Sequence, residues 1–104
     1  MPGIDFHRLR TEITMTQVLD LLSFEPIHRR GEQWYGYCPL HASEPKHRRA
    51  FSVNIAMGCY YCHKCGSRGD QFNLWAEANK LPLYPATIDL CHQLSIDVPH
   101  IHRW

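Results

Sequence analysis

Cys38-Pro39-Leu40-His41 and Cys62-His63-Lys64-Cys65 stand in this chain with twenty residues between them. In each quartet two residues separate the outer partners, the spacing at which one turn of chain aims two side chains at a common centre. Three thiols and an imidazole suit Zn²⁺, and four protein ligands close a tetrahedral shell. A closed shell is structural, so the expected cofactor is one structural zinc held by Cys38, His41, Cys62 and Cys65. Cys59-x-x-Cys62 offers a competing pair. Cys62 with Cys65 is preferred, because Gly66 follows it and lets backbone amides turn toward a thiolate, whereas Cys59 falls inside an alternating strand pattern. Cys91 is expected to pack inside a helix, as a free thiol commonly does.

The metal turns constrain what surrounds them. Ile27-His28-Arg29-Arg30, Gly31-Glu32 and Gln33-Trp34-Tyr35-Gly36-Tyr37 read as strand, turn and strand, leading directly into Cys38. Phe51, Val53 and Ile55 alternate with Ser52 and Asn54, a half-buried strand. Ala56-Met57-Gly58 makes a tight turn, and Cys59-Tyr60-Tyr61 returns to deliver Cys62. Before this ribbon, Asp5 caps a short helix with Phe6, Leu9 and Ile13 on one face. Thr14-x-x-Gln17 is a capping box for a second helix, with Ile13 and Val18 at the staple positions and Pro26 as its stop. After the ribbon, Gly66 to Asp70 is a break and a helix cap. Phe72, Trp75, Ala76 and Asn79 then predict an amphipathic helix over 70–80. Leu81 to Pro85 reads as a linker whose last proline can occupy a first helical turn. Ile88, Leu90, Cys91 and Leu94 form a second stripe closing near Ser95, and the tail from Asp97 has no clear period. The expected fold is a small α+β zinc-binding domain, 1–104. A zinc ribbon of antiparallel strands (27–66) is flanked by N-terminal helices (5–24) and C-terminal helices (70–96).

With 44% hydrophobic and 20% charged residues, the chain is ordinary for a globular domain and not a disordered one. No apolar run approaches the roughly 20 residues that span a membrane. Met1-Pro2-Gly3-Ile4-Asp5 lacks the basic and apolar regions of a signal peptide. The expectation is a reducing, cytoplasmic setting, where clustered cysteines favour metal over disulfides. The net charge is +1, but residues 28–68 hold seven Lys/Arg against Glu32 and Glu44, a local +5. Positive charge thus gathers on the metal-binding segment, an electrostatic footprint for nucleic acid. Aromatic residues interleave with it. Lys46, Arg48, Arg49, Lys64 and Arg68 are candidates for phosphates, and Trp34, Tyr35 and Tyr60 for stacking on bases, the combination used for single strands. Strand aromatics alternate, so about half of them should face the core instead. His63, between two ligands, points outward from the turn. His100 and His102 lie in the unpatterned tail. The ten carboxylates are scattered singly, with no paired Asp-x-Asp and no phosphate-cradling glycine loop, so catalysis is not expected of the chain by itself.

Tyr37-Cys38-Pro39-Leu40-His41, Phe51-Ser52-Val53 and Tyr61-Cys62-His63-Lys64-Cys65-Gly66-Ser67-Arg68-Gly69-Asp70 together resemble the zinc-binding domain of bacterial primases. The likeness extends over roughly residues 5–96, with the specific motifs in 37–75. It implies zinc on Cys38, His41, Cys62 and Cys65, and engagement of single-stranded template where RNA primers begin. It also implies that synthesis belongs to a separate catalytic domain, which would begin where this chain ends. The loop from Ala42 to Ala50 is longer and more basic than the family's, with Arg48-Arg49-Ala50 before Phe51 where Thr-Pro-Ser is common.

The expected function is a zinc-dependent, DNA-binding module for single-stranded template recognition in replication. Its expected partners are single-stranded DNA and a primase catalytic domain, helicase or other replication protein, with no membrane. The alternative is a protein-interaction adaptor that uses the C-terminal helices, since the remainder of the chain carries −4 and suits DNA poorly. A third reading makes Cys59, with Cys62 and Cys65, a redox-sensitive zinc switch.

Overall fold

The computed structural model describes residues 3–40 and 49–101, the last two as backbone only. The candidate residues His41, Lys46 and Arg48 lie outside the described residues.

After a short strand β1 (Gly3–Ile4), the chain enters helix α1 (Phe6–Glu12) and helix α2 (Met15–Leu21). Both begin as their sequences require. The Asp5 carboxylate accepts the Arg8 amide, and Thr14 and Gln17 form a reciprocal capping box, each cap contributing about 1 kcal/mol. Leu9, Ile13 and Val18 are fully buried, so the predicted apolar face is the one that packs. The end of α2 differs from the expectation. It stops at Leu21 rather than running to Pro26, because Ser23 takes a left-handed φ of 56°. The Ser23 amide donates to the Asp20 carbonyl and the Phe24 amide to the Leu19 carbonyl, which closes the helix in a Schellman motif. This swing drops the Phe24 ring onto Phe51, 5.2 Å between centroids.

Five strands follow in a simple antiparallel meander, β2 (His28–Arg30), β3 (Gln33–Gly36), β4 (Phe51–Asn54), β5 (Cys59–Cys62) and β6 (Arg68–Asp70), in that spatial order. Arg30 pairs with Gln33, so Gly31-Glu32 is the two-residue turn anticipated. The turn after β4 is held by Asn54, whose side chain accepts the Met57 amide at 2.8 Å and whose carbonyl accepts the Gly58 amide at 2.9 Å. β6 departs from the expectation of a simple break, because Arg68, Gly69 and Asp70 pair with Tyr61, Tyr60 and Cys59. Ser52 also departs from it. On the central strand it is buried with Phe51 and Val53, and its hydroxyl donates to the Tyr61 carbonyl at 3.4 Å.

The last residue of β6 caps helix α3 (Gln71–Asn79). The Asp70 carboxylate accepts the Phe72 and Asn73 amides, and Asn73 accepts the Asp70 amide in return. Leu74 and Gln71 are buried along with Phe72, Trp75 and Ala76, a wider face than the i, i+3, i+4 stripe predicts. The reason is that α3 packs on α2, β5, β6 and helix α4 (Leu83–Gln93) together. Phe6 meets Phe72 edge-on, and the Gln71 side-chain amide donates 2.8 Å to the Ile13 carbonyl, joining α3 to the N-terminal helices. α4 starts at Leu83, so the linker is shorter than expected, and Pro85 sits in the first turn where no amide is needed. The Trp75 indole donates to Asp89 at 3.0 Å and clamps the two helices. Cys91 is fully buried, as anticipated. The tail is not patternless, for strand β7 (His100–Ile101) pairs antiparallel with β1.

The fold is therefore α+β, a five-stranded antiparallel ribbon preceded and followed by helices. The buried residues form one cluster running from Leu9 through Phe51 and Tyr60 to Leu90.

Candidate metal centre and nucleic-acid face

β3 leads into Cys38 and β5 ends on Cys62, and pairing through β4 carries the two thiols to the same end of the sheet. The sulfurs of Cys38, Cys62 and Cys65 all lie within 4.8 Å of one another. Tetrahedral Zn–S bonds of about 2.3 Å impose a sulfur–sulfur separation of about 3.8 Å, so three corners of a shell are nearly drawn. Backbone amides point at the sulfurs, Leu40 N–H at Cys38 Sγ and Cys65 N–H at Cys62 Sγ, each at 3.4 Å. Gly66 takes a left-handed φ of 77°, and its amide donates to the Cys62 carbonyl, which tightens the turn. Burial pushes the Cys38 thiol up to about 12, helped by the neighbouring sulfurs of Cys62 and Cys65 and opposed by the Leu40 amide. A divalent cation reverses that balance, since thiolates crowded in a buried site need a positive charge among them. The donor set fits zinc, which supplies charge compensation and a covalent-strength crosslink between two turns.

Cys59 stays out of this cluster. It is exposed, and three residues before Cys62 on a strand it projects from the opposite face. The reading in which it joins Cys62 and Cys65 as a switch does not match that geometry.

The same parity sorts the aromatic candidates. Cys62 and Tyr60 face inward, together with Val53, Phe51 and Trp34, their cross-strand neighbours. Tyr60 is 4% exposed. Its ring stacks on Phe51 and its hydroxyl lies 2.8 Å from Ser67 Oγ. Tyr60 is therefore corrected from a base-stacking candidate to a core residue. Trp34 shares that side of the sheet. It is half-buried, with the Arg29 guanidinium 4.3 Å above its ring.

On the other face, His28, Tyr35, Ser52, Tyr61 and Arg68 stand directly opposite one another across all five strands. Strands about 4.8 Å apart put the ends of this row about 19 Å from each other. Ser52 is its low point, between Tyr35 and Tyr61 at a separation of roughly 10 Å. Tyr61 is 38% exposed and meets the His63 ring edge-on, with centroids 4.7 Å apart. His28, Arg30, Tyr35 and Arg49 line a cavity of about 210 Å³ at the β2 end of the row. Lys64 is exposed on the metal turn. Of the sequence candidates, the structure brings Tyr35, Arg49 and Arg68 to this face. Tyr61, Ser52, His28 and Arg30 lie on it as well, and strand parity counted back from Cys62 exposes Tyr61.

A meander sheet whose end gathers three thiols, flanked by capped helices, defines a zinc-ribbon domain. The CHC2 zinc finger family matches residues 4–103, and the chain belongs to that family. It is 30% identical over 89 residues to a DNA primase of Helicobacter pylori strain J99, covering 86% of this chain and 15% of that protein. It is 32% identical over 72 residues to a DNA primase of Synechocystis, covering 69% of this chain and 11% of the relative. The chain thus spans less than a sixth of the length of these curated relatives. The fold is shared with the Aquifex aeolicus primase, solved with its zinc-binding and RNA polymerase domains. There the TM-score is 0.72 at 20% identity, over 94% of this chain and 23% of that one. Among the described residues no helix is long and apolar enough to cross a membrane.

Proposed function

We propose that residues 1–104 act as one cytoplasmic domain that binds single-stranded DNA template for primer synthesis, with zinc on Cys38, His41, Cys62 and Cys65 fixing the ribbon. The observation that carries this reading is the transverse row His28, Tyr35, Ser52, Tyr61 and Arg68. Two tyrosines on either side of a small serine form a trough. Its walls offer ring faces to bases, and Arg68 at one end, with Arg30 and Arg49 beside the other, offers cations to phosphates, the combination that single-strand binders use. Arg49, Lys46, Arg48 and Lys64 add positive charge along the same segment of chain. The relatives are named DNA primases, and a catalytic domain or helicase of a replication assembly is the partner this role requires.

Fluorescence anisotropy of the zinc-loaded protein with single-stranded and duplex oligonucleotides tests it. Single strands should bind more tightly, with log K falling by about 0.7 per phosphate contacted as log salt rises. Absence of binding at low salt would refute it. The adaptor reading has its own support in Leu81, Leu83 and Tyr84, which expose apolar surface at the α3–α4 corner. In that case a replication protein would be recovered with the domain after nuclease treatment.

A further inference from the structure

We infer that the cavity lined by His28, Arg30, Tyr35 and Arg49 takes a terminal phosphate group, carried by a 5′-phosphorylated strand or by a free nucleotide. The cavity is a distinct feature of the face. Register puts His28, Arg30 and Tyr35 on the same side of the β2–β3 hairpin, and Arg49 closes it from the approach to β4. No carboxylate among the described residues lines it. Among the described residues Arg30 and Arg49 make no ion pair, in contrast to Arg10, which is held by Asp70 at 3.4 Å. Arg29, their neighbour in sequence, is engaged on the opposite face over Trp34. Two arginines without acidic partners among the described residues therefore line one hollow together with a tyrosine and a histidine.

Its size and charge narrow the ligand. About 210 Å³ lies below the roughly 300–1,000 Å³ of pockets that enclose a whole small molecule, so the cavity suits a group rather than a complete nucleotide. Guanidinium forks match phosphate oxygens in pairs, and two of them bring two positive charges against the single negative charge of a backbone phosphodiester. A terminal phosphate, with three free oxygens and a charge of about −2 near neutral pH, matches both the donors and the charge. The Tyr35 ring, 5.8 Å from His28 between centroids, forms a wall shared with the trough. A strand end seated here would continue toward Ser52 and Tyr61.

The inference rests on the strand-binding reading for one carrier, the strand end, and is independent of it for the free nucleotide. The test compares one oligonucleotide with a 5′-hydroxyl or a 5′-phosphate on zinc-loaded protein, with and without competing ATP. A gain of about fivefold for the phosphorylated strand is expected from added charge-assisted hydrogen bonds. Arg30→Gln should abolish that gain. Arg68→Gln, at the far end of the row, should weaken both strands alike and keep their ratio. If ATP erases the gain, the cavity also accepts free nucleotide; if the gain survives ATP, the strand end is its ligand. Equal affinity for the two strands, with no ATP binding by calorimetry, overturns the inference and leaves strand binding intact. If neither strand binds, the strand-binding reading falls, and ATP binding lost in Arg30→Gln still decides for or against the cavity.

Discussion

The Tyr60 hydroxyl lies 2.8 Å from the Ser67 hydroxyl, inside the ribbon, while Tyr61 beside it is turned outward against His63. Adjacent tyrosines thus face opposite sides of the sheet. Tyr60→Phe should lower folding stability by about 1 kcal/mol, the worth of one hydrogen bond, and leave DNA affinity unchanged. Tyr61→Ala should hardly move the melting midpoint and should weaken single-strand binding by about 1–3 kcal/mol. Anisotropy and thermal melts on both variants check the division.

Metal removal should unfold the ribbon. Three thiols meet at the end of the sheet, and binding energy of about 10–16 kcal/mol for a structural zinc is folding energy. Chelation or Cys62→Ala should abolish the melting transition, while Cys59→Ser should retain one equivalent of zinc and the parent midpoint. Zinc stoichiometry by atomic absorption, with circular dichroism, reads both.

Alkaline pH should destabilise the zinc-loaded fold. Burial, with a smaller contribution from Glu12, raises the Cys91 thiol above its ordinary 9.0. Burial raises the Tyr60 phenol above 10.0 against the opposing bond to Ser67. The unfolded chain releases these protons first, so it binds fewer protons than the native state as pH rises through 9 and 10, and stability falls there. The stabilising contribution is complete at neutral pH. Denaturant midpoints measured at rising pH should decline, and Cys91→Ala should show a shallower decline from a lower start.

Three helix ends turn through left-handed residues that are not glycine, Ser23, Lys80 and Ser95. Ser95 repeats the pattern of Ser23, its amide donating to the His92 carbonyl while the Ile96 amide donates to the Cys91 carbonyl. Ser95→Gly and Ser23→Gly should each stabilise by about 0.5–1 kcal/mol, since relief of the left-handed strain exceeds the added flexibility of the unfolded chain. Urea titration measures the gain.

Gly69 carries the opposite expectation. Its φ is 148°, and a Cβ there would stand 2.6 Å from the Asn73 side chain, which is held by the Asp70 amide. Gly69→Ala should cost about 1–3 kcal/mol by strain at a closed site, readable as a lowered urea midpoint.

Those helix ends also show where sequence reading reached its limit. The starts of α1, α2 and α3 were legible because Asp5, Thr14 and Asp70 carry their cap chemistry in their side chains, whereas α4, capped by no side chain, began before its predicted place. The stop of α2 was not legible, because Ser23 adopts a glycine-like conformation for reasons that lie in the packing of Phe24, whereas α3 ends at Asn79, close to the predicted 80. The thiol cluster was legible from spacing alone. The inward placement of Tyr60 was not, because aromatic content was weighed without counting strand parity from Cys62, which places Tyr60 inside and Tyr61 outside. β6 and β7 escaped notice because Arg68-Gly69-Asp70 and His100-Ile101 are too short to show a period, and only their partners reveal them.

The pairing of Gly3 with Ile101 and of Ile4 with His100 makes the two extremities of the described chain neighbours. A few-residue linker would span from 101 to 3, about the distance between paired strands. A circular permutant closed there and opened at Gly31-Glu32 would keep the meander order and the thiol cluster. By the same geometry, a reporter fused at either extremity would hang from a single point on the molecule.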